Sequence, residues 1–196
     1  MQNGKVILIR HADFAKPVPG AYYGQTDLDL TPEGEQQARA LAPLLARLAP
    51  DIGRACASDL SRARHTAALA LPQLTAQPLP ALREMSFGAW EGRRYAEIKD
   101  EPGFAAFAGG GAAPGGESEA DFARRVTQAT DALLAQSEGT VALVAHAGPI
   151  RHIVAHLLGL EPAQSWRFCV DTASLSIITV ADGYAYLSAL NVRALG

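Results

Sequence analysis

The chain has 196 residues, of which 48% are hydrophobic and 19% charged, so it is long enough to bury a core of its own. The formal net charge of −3 gives no electrostatic reason to expect nucleic acid or an anionic membrane as a partner, and no apolar stretch approaches the length of a membrane span. Cys56 and Cys169 are too far apart in sequence to suggest paired metal ligands, so we expect free thiols and a cytoplasmic protein with a single domain over residues 1–196.

The first predicted element is a strand, Val6–Ile9, in which four apolar residues follow one another without alternation. This pattern is typical of a strand that is buried on both faces of a parallel sheet. Arg10 and His11 come directly after it, where the carboxyl ends of such strands usually bind ligands. Both are therefore candidate site residues; the alternative is a surface Arg-His pair after a core strand.

Residues 12–30 are predicted to form a loop, because prolines and glycines interrupt any longer element. The loop follows the strand that carries the candidate site, so Tyr22, Tyr23 and Gln25 are candidates for ligand contact. An ordinary surface loop is the alternative. Thr31 then predicts the N-cap of a helix that ends near residue 50.

A second strand is predicted over Arg54–Ser58, followed by a helix with Ser58 or Asp59 as its cap. Arg62 lies in the first turns of this helix, at the ligand-binding edge if the strands are parallel. An arginine beside a helix N-terminus is a good phosphate ligand. The alternative is a solvated helix face, which is the interpretation we prefer for Arg64.

Glu84 lies between apolar neighbours in a predicted third strand, Ala81–Met85. A carboxyl group in such surroundings is suited to donate a proton, and a salt-bridged surface glutamate is the alternative. Residues 109–116 are glycine-rich and are predicted to form a flexible loop. The Gly-Lys-Ser/Thr ending of a P-loop is absent, so we prefer a lid or a plain linker to a nucleotide-binding loop. Ser118 and Asp121 then resemble a capping box, which predicts a helix through Leu134.

The strand pattern recurs at Val141–Ala145, which His146 follows directly. Two buried strands that both end in histidine place two imidazoles at one edge of a sheet. Pro149 suits the first position of a helix through Leu158. His146 is therefore expected near a helix N-terminus, where backbone N–H groups favour an anion.

His152 and His156 are four residues apart on this helix, a spacing that can bind zinc. Ile153 stands where the metalloprotease motif has glutamate, and no third ligand is obvious, so zinc is the less favoured alternative. Two further strands, Ser174–Val180 and Tyr184–Leu190, flank Asp182-Gly183, which predicts a hairpin. The sheet is therefore expected to be mixed.

Five polar residues from these elements have chemistry that fits a phosphate ester: Arg10, His11, Arg62, Glu84 and His146. Two guanidiniums match a phosphate dianion, because each can donate paired hydrogen bonds. A histidine among them can act as a nucleophile, and the carboxyl group can protonate a leaving oxygen.

Motifs along nearly the whole chain, in order, resemble those of the histidine phosphatase superfamily, also called phosphoglycerate-mutase-like. The strand-Arg-His signature stands at Leu8–Ala12. A loop-and-helix pattern is matched at Gly24, Asp27, Leu30, Thr31, Gly34, Gln37 and Ala38. The family's Ser-x-Leu-x-Arg-Ala-x-x-Thr-Ala segment is matched at Ser58, Leu60, Arg62, Ala63, Thr66 and Ala67. Later blocks are matched at Leu82, Glu84, Gly88, Trp90, Glu91, Gly92, Gly115–Ser118 and Val144–Gly148.

The resemblance implies an α/β fold, a three-layer α/β/α sandwich with a mixed, mostly parallel sheet, and the activity of a metal-independent phosphatase. It implies that His11 is the phosphorylated nucleophile and that Glu84 is the proton donor. Because histidine attacks in its neutral form, we expect nearby positive charge to lower the pKa of His11. The residues implied to contact substrate are Arg10, Arg62, His146, Tyr23, Gly24, Gln25 and Ala147. No metal or cofactor is implied; the expected ligand is a small-molecule phosphomonoester, and a homodimer is left open.

Two departures from the family pattern concern the residues after the nucleophile. Ala12 stands where glycine is usual, and the following Asp13, Phe14 and Pro17 include no asparagine, so some phosphate contacts must differ. The Pro-containing loop that ends at Tyr23–Asp27 is similar to that of α-ribazole phosphatases, which makes a cobalamin-biosynthesis phosphatase the leading expectation. The alternatives are a phosphoglycerate mutase, a broad-specificity sugar-phosphate phosphatase and a non-catalytic phosphate-binding protein.

Overall fold

The computed structural model describes residues 3–194 as strands and helices that alternate along most of the chain. The strands are β1 (Gly4–Arg10), β2 (Ile52–Ala57), β3 (Gln77–Pro78), β4 (Gly139–Ala145), β5 (Ser174–Ala181) and β6 (Tyr184–Arg193). The helices are α1 (Pro32–Leu48), α2 (Ser61–Ala70), α3 (Tyr95–Ile98), α4 (Phe104–Ala108), α5 (Glu119–Ala135) and α6 (Ala147–Leu157). Three 3₁₀ turns cover Pro80–Leu82, Gly88–Trp90 and Pro162–Arg167.

The six strands form one sheet in the order β3-β2-β4-β1-β5-β6. The pairs β3/β2, β2/β4 and β4/β1 are parallel, whereas β1/β5 and β5/β6 are antiparallel. The register pairs Arg10 at the end of β1 with Ala145 at the end of β4. His11 and His146, which follow these two residues, therefore leave the sheet at the same edge, and the predicted mixed, mostly parallel sheet is confirmed.

The two faces of β1 explain its unbroken apolar run. Ile7 and Ile9 belong to a core cluster that includes residues of α1 and α2, and Val6 and Leu8 belong to a second cluster that includes residues of α5 and α6. All four side chains are at most 1% exposed. Burying each contributes about 1.5–3 kcal/mol, so neither face tolerates a polar residue. The predicted three-layer α/β/α arrangement is confirmed.

The predicted third strand over Ala81–Met85 is wrong. The strand that follows α2 and pairs with β2 at the edge of the sheet is the two-residue β3. The chain then enters the 3₁₀ turn Pro80–Leu82. Pro80 lacks the N–H that a strand ladder needs and has the fixed φ that suits the first position of a helical turn. Glu84 therefore lies on an irregular segment after this turn.

Two predicted helix starts are also corrected. α2 begins at Ser61 with Leu60 as N-cap, and Asp27 from the distant loop accepts from the Ser61 backbone N–H (2.7 Å). α6 begins at Ala147 rather than Pro149, so His146 is itself the N-cap. Pro149 is tolerated there because the first four N–H groups of a helix have no partner within the helix.

Three further sequence predictions concern the second half of the chain: a helix cap, a hairpin turn and a glycine-rich loop. Ser118 caps α5 by accepting from the Asp121 N–H (3.1 Å), and Asp182-Gly183 forms the hairpin turn with positive φ at both residues, as predicted. Residues 109–116 form a loop, as predicted, and the loop packs on the protein: Ala113 is 2% exposed, and the Pro114 carbonyl accepts from the Ala89 N–H (2.9 Å). Both cysteines are free, and no helix within residues 3–194 is long and apolar enough to cross a membrane.

Candidate active site

His11 is held at the end of β1 with its side chain buried. Its N–H donates to the Ala145 carbonyl (2.9 Å), and its ring is 3% exposed. Nδ1 lies 2.8 Å from the Ala12 carbonyl oxygen. Because a carbonyl can only accept, Nδ1 carries the proton and the lone pair is on Nε2. Burial, followed by the charges of Arg62 and Arg10, holds the pKa of His11 well below its usual value, as expected from the sequence.

His146 faces His11, with 4.9 Å between the ring centroids. Its Nε2 lies 2.9 Å from Ser58 Oγ, which also accepts from the Leu60 N–H (3.4 Å). When the Ser58 hydroxyl donates to Nε2, the proton of a neutral His146 is on Nδ1. Burial, followed by His11 and the two arginines, holds the pKa of His146 well below its usual value, so the neutral form is the relevant one.

Two arginines flank the histidines, the buried Arg62 and the half-buried Arg10, and backbone carbonyls hold both of them. Arg10 Nη1 donates to the Val170 carbonyl (2.6 Å), and Arg62 donates to the carbonyls of Gly24 (2.6 Å) and Thr26 (2.8 Å). Burial, more than any other cause, lowers the pKa of each arginine, but a guanidinium in a protein stays charged. Because these partners are neutral, the site keeps two positive charges available to an anion.

Unpartnered polar atoms mark the same place. Among the residues 3–194, four buried side-chain nitrogen or oxygen atoms lack a hydrogen-bond partner: Arg10 Nε, Arg62 Nε, His146 Nδ1 and Ser165 Oγ. Leaving such a donor unpaired costs about 1–3 kcal/mol, more for a charged group. The three nitrogens all belong to residues around His11. An anion bound there would supply acceptors for them.

Glu84 is fixed against the start of α6. Its Oε1 accepts from the Met85 N–H (3.0 Å), and its Oε2 accepts from the Gly148 N–H (3.1 Å). A Cβ at Gly148 would overlap the Glu84 carboxylate and the ring of Phe122, so glycine allows this close approach. The charge of Glu84 raises the pKa of Arg10 and Arg62 against the stronger effect of burial, which places the carboxylate near both guanidiniums.

A cavity of about 430 Å³, here called the side cavity, opens beside Glu84. This volume lies in the range of about 300–1,000 Å³ that small-ligand sites occupy. Ala147 and Gly148 line it next to the candidate site. Much of the remaining wall is aromatic and comes from separate segments: Tyr22, Phe87, Phe107, Phe122 and Trp166.

Comparisons with known proteins agree with this geometry. The profile of the histidine phosphatase superfamily (branch 1) matches residues 6–193. The chain belongs to this superfamily. An adenosylcobalamin/alpha-ribazole phosphatase of Salmonella typhimurium is 37% identical over 96% of each chain, and a glucosyl-3-phosphoglycerate phosphatase of Mycolicibacterium vanbaalenii is 36% identical over 92% of this chain and 85% of that one. The crystal structure of the alpha-ribazole phosphatase from Shigella flexneri is similar, with a TM-score of 0.86 and 32% identity over 98% of both chains.

The five polar residues that the sequence predicted as the centre of this histidine phosphatase site do lie together. Of the other predicted contacts, Ala147 lines the side cavity. The other three, Tyr23, Gly24 and Gln25, make hydrogen bonds within the protein. The Tyr23 hydroxyl accepts from the Val18 N–H (2.8 Å) within its own loop, and the Gly24 carbonyl holds Arg62. Gln25 Nε2 donates to the Glu84 carbonyl (3.2 Å). Tyr22, rather than Tyr23, lines the cavity, because the loop turns the two rings apart.

Glu91 is a site residue whose role the motif match did not reveal. Its carboxylate accepts from the N–H groups of Gly24 (3.0 Å), Gln25 (2.9 Å) and Thr26 (3.2 Å), and from the Thr26 hydroxyl (2.6 Å). Burial alone would raise its pKa, but these hydrogen bonds lower it below the usual value. Glu91 thus orders the loop whose carbonyls hold Arg62.

A second carboxylate, Glu117, orders the segment that carries Glu84. It pairs with Arg125 (2.7 Å) and accepts from the Ser86 N–H (2.9 Å). Arg125 also donates to the carbonyls of Ala81 (2.7 Å), Arg83 (3.1 Å) and Glu84 (3.3 Å). A half-buried arginine thus supplies the backbone hydrogen bonds that the predicted strand would have made with a neighbouring strand. The Glu117 motif was visible in the sequence, but nothing in the sequence pointed to Arg125.

The departures after the nucleophile also have a structural account. Ala12 is fully buried, its methyl group joins the core, and its N–H donates to Thr66 Oγ1 (3.0 Å). Phe14 lies edge-on to His11, with 5.2 Å between ring centroids, and the Arg62 guanidinium lies 5.0 Å from the centre of the Phe14 ring. The segment after His11 therefore packs against the side of the His11 ring and of one guanidinium.

Proposed function

We propose that this chain is a metal-independent phosphomonoesterase that works through a phosphohistidine on His11. The observation that carries the proposal is the set of buried nitrogens without partners, Arg10 Nε, Arg62 Nε and His146 Nδ1, around an imidazole whose Nε2 holds a lone pair. A phosphoryl group offers acceptors to all three nitrogens and an electrophilic phosphorus to the fourth. The family membership supports the same reaction class.

In the first step, His11 Nε2 attacks phosphorus and the bond to the ester oxygen breaks. Glu84, in its acid form, gives its proton to the departing oxygen, which leaves as an alcohol. In the second step, water attacks the phosphohistidine, the P–N bond breaks, and Glu84 takes back a proton from the water. Arg10, Arg62 and His146 hold the nonbridging oxygens throughout and stabilise their charge in both transition states.

The substrate we propose is α-ribazole 5′-phosphate, in keeping with the relatives named alpha-ribazole phosphatases. A panel of phosphomonoesters that includes this ester, 3-phosphoglycerate and p-nitrophenyl phosphate tests the proposal. We expect α-ribazole 5′-phosphate to have the highest kcat/KM, with full activity in EDTA because two guanidiniums supply the positive charge. A preference for glucosyl-3-phosphoglycerate would instead favour the second named relative, and mutase turnover of 3-phosphoglycerate would contradict the hydrolase assignment.

Activity that EDTA removes and zinc restores would contradict the metal-independent mechanism and return attention to His152 and His156. The two histidines make other contacts. The His152 ring packs on Phe122, with 5.2 Å between centroids, and His156 Nε2 lies 2.8 Å from Asp131 Oδ1. Within residues 3–194, no group of three or more His, Cys, Asp or Glu side chains is arranged to hold a metal ion.

Glu84→Gln should separate substrates by the quality of their leaving group. The amide keeps the shape of the side chain but cannot donate an acidic proton to the departing oxygen. We expect kcat for an alkyl phosphate to fall about 10²- to 10⁴-fold, and kcat for p-nitrophenyl phosphate to fall much less, because nitrophenolate leaves without a proton. Equal losses in steady-state assays of both substrates would assign Glu84 to positioning or to water activation instead.

We further propose that residues 1–196 form a single domain and that the protein is cytoplasmic. The matched profile covers residues 6–193, and both cysteines are free thiols, which suits a reducing compartment. A homodimer stays a proposal that sedimentation can test.

A further inference from the structure

The side cavity has two aromatic groups in its wall. Tyr22, Phe87 and Phe107 form one group, with ring centroids 5.1–6.2 Å apart in pairs. Phe122 and Trp166, from α5 and the 3₁₀ turn Pro162–Arg167, line the cavity as well. Rings that are arranged edge to face in this way bind another flat ring well.

Trp166 is 65% exposed, yet two contacts hold it at the cavity. Its Nε1 donates to Glu119 Oε1 (2.9 Å), and the Arg151 guanidinium lies 5.1 Å from the centre of its ring. Arg151 is itself held by the Phe168 carbonyl, which accepts from its Nε (3.0 Å). A large exposed ring that is fixed at a cavity is typical of a ligand-binding surface.

The charges around the side cavity favour a neutral occupant. Glu119 and Arg151 line it with opposite charges, and Glu84 is neutral in the acid form that protonates the leaving oxygen. A charged group on the leaving alcohol would therefore meet one repulsive partner as well as one attractive one, in surroundings of low dielectric constant. A flat neutral ring avoids this cost.

Ser165 adds a polar group to the wall of this cavity. The residue is 1% exposed, lines the cavity, and its Oγ is the fourth unpartnered buried atom described above. A hydroxyl can donate one hydrogen bond, and leaving it unmade costs free energy. A ring nitrogen that accepts a hydrogen bond would satisfy it.

We infer that the side cavity binds a neutral N-heteroaromatic ring carried by the leaving alcohol, with Trp166 as a stacking surface and Ser165 as the donor to a ring nitrogen. This inference rests on the proposed function, because it concerns the alcohol that His11 and Glu84 release. It also deepens that proposal, since α-ribazole carries a benzimidazole. The chemistry of the wall alone leads to the same class of ring.

The experiment compares three esters that differ only in the leaving alcohol: 2-(benzimidazol-1-yl)ethyl phosphate, its indol-1-yl analogue and ethyl phosphate. The indole ring replaces the accepting nitrogen by C–H. We expect kcat/KM to be highest for the benzimidazolyl ester. Trp166→Ala should lower the benzimidazolyl-to-ethyl ratio about tenfold, as the loss of one stacking partner does. Ser165→Ala should lower the benzimidazolyl-to-indolyl ratio about two- to tenfold and leave the ethyl ester unchanged.

Tyr184→Ala is the matched control, because Tyr184 is an exposed ring (80%) on the edge strand β6, and it should keep every ratio. A benzimidazolyl-to-ethyl ratio near one, or a ratio that survives Trp166→Ala, would overturn the inference. A preference for phosphoserine or 3-phosphoglycerate over the benzimidazolyl ester would do the same. If Ser165→Ala keeps the preference for benzimidazole over indole, the donor assignment is wrong.

Failure of the proposed function is recognised separately. If α-ribazole 5′-phosphate is a poor substrate while the benzimidazolyl ester is preferred, the named substrate is wrong and the cavity assignment holds. If none of the esters is hydrolysed, titration with 2-(benzimidazol-1-yl)ethanol still tests the cavity, with tryptophan fluorescence as the readout. Quenching that Trp166→Phe removes supports the inference, since the other tryptophan, Trp90, is buried behind Phe107 and does not line the cavity; unchanged fluorescence overturns it.

Discussion

His11→Ala is expected to abolish phosphoenzyme formation and to lower kcat by more than about 10⁴-fold, the scale of losing a covalent nucleophile. Water lacks the fixed position that β1 gives to Nε2, so it cannot replace the imidazole efficiently. Rapid quench with ³²P-labelled substrate measures the intermediate. We expect label that is acid-labile and base-stable in the unaltered protein and absent from the variant.

His65→Ala is the control for this experiment, because His65 is a partly exposed histidine on α2 whose Nε2 lies 4.0 Å from Glu35. It should keep both the label and the turnover. Label that persists in the His11→Ala protein would show that another residue is phosphorylated, and it would end the assignment of His11 as the nucleophile.

Arg62→Ala is expected to lower kcat by about 10²- to 10³-fold, the effect of removing one preorganised donor that stabilises charge in the transition state. Arg62 is 1% exposed and its described hydrogen bonds go to neutral backbone carbonyls, so its positive charge is available to the phosphoryl group. Steady-state kinetics with p-nitrophenyl phosphate measures the loss, and a thermal unfolding curve shows whether the variant is folded.

Arg64→Ala removes an exposed arginine two residues along the same helix and should change kcat little. Arg62→Lys adds a second comparison, because lysine keeps the charge but loses the fork of donors. We expect it to recover only part of the activity. A folded Arg62→Ala protein with less than about a fivefold loss would place Arg62 outside the reacting groups.

The sequence predicted the centre of the site because its key positions follow from backbone geometry. Arg10, His11 and His146 come directly after buried strands, and the ends of parallel strands must meet at one edge. Glu84 lies near the other candidate residues, as predicted, but on a different element. Its apolar neighbours suggested a strand, whereas Pro80 starts a 3₁₀ turn and Arg125 of α5 holds the rest of the segment.

Other parts of the site could not be read from local patterns. Glu91 bonds to residues 24–26, and Arg125 bonds to the carbonyls of residues 81, 83 and 84, across at least 40 intervening residues in each case. No periodicity or cap relates such distant positions. The side cavity could not be predicted from the sequence for the same reason. Its lining residues Phe107, Trp166 and Ser165 come from segments that are far apart in sequence and meet only in the folded chain.

Part of the side-cavity wall lies on different segments of the chain from the nucleophile and its guanidiniums, so each can be altered without the other. The nucleophile and its guanidiniums come from strand ends and α2, whereas Phe107, Ser165 and Trp166 come from α4 and the 3₁₀ turn Pro162–Arg167. Substitutions in those two short segments can therefore redesign which alcohol is accepted without disturbing the bond-breaking groups. Directed evolution toward a new ester would best begin with a library confined to these positions, since the catalytic apparatus need not be rebuilt for each new substrate.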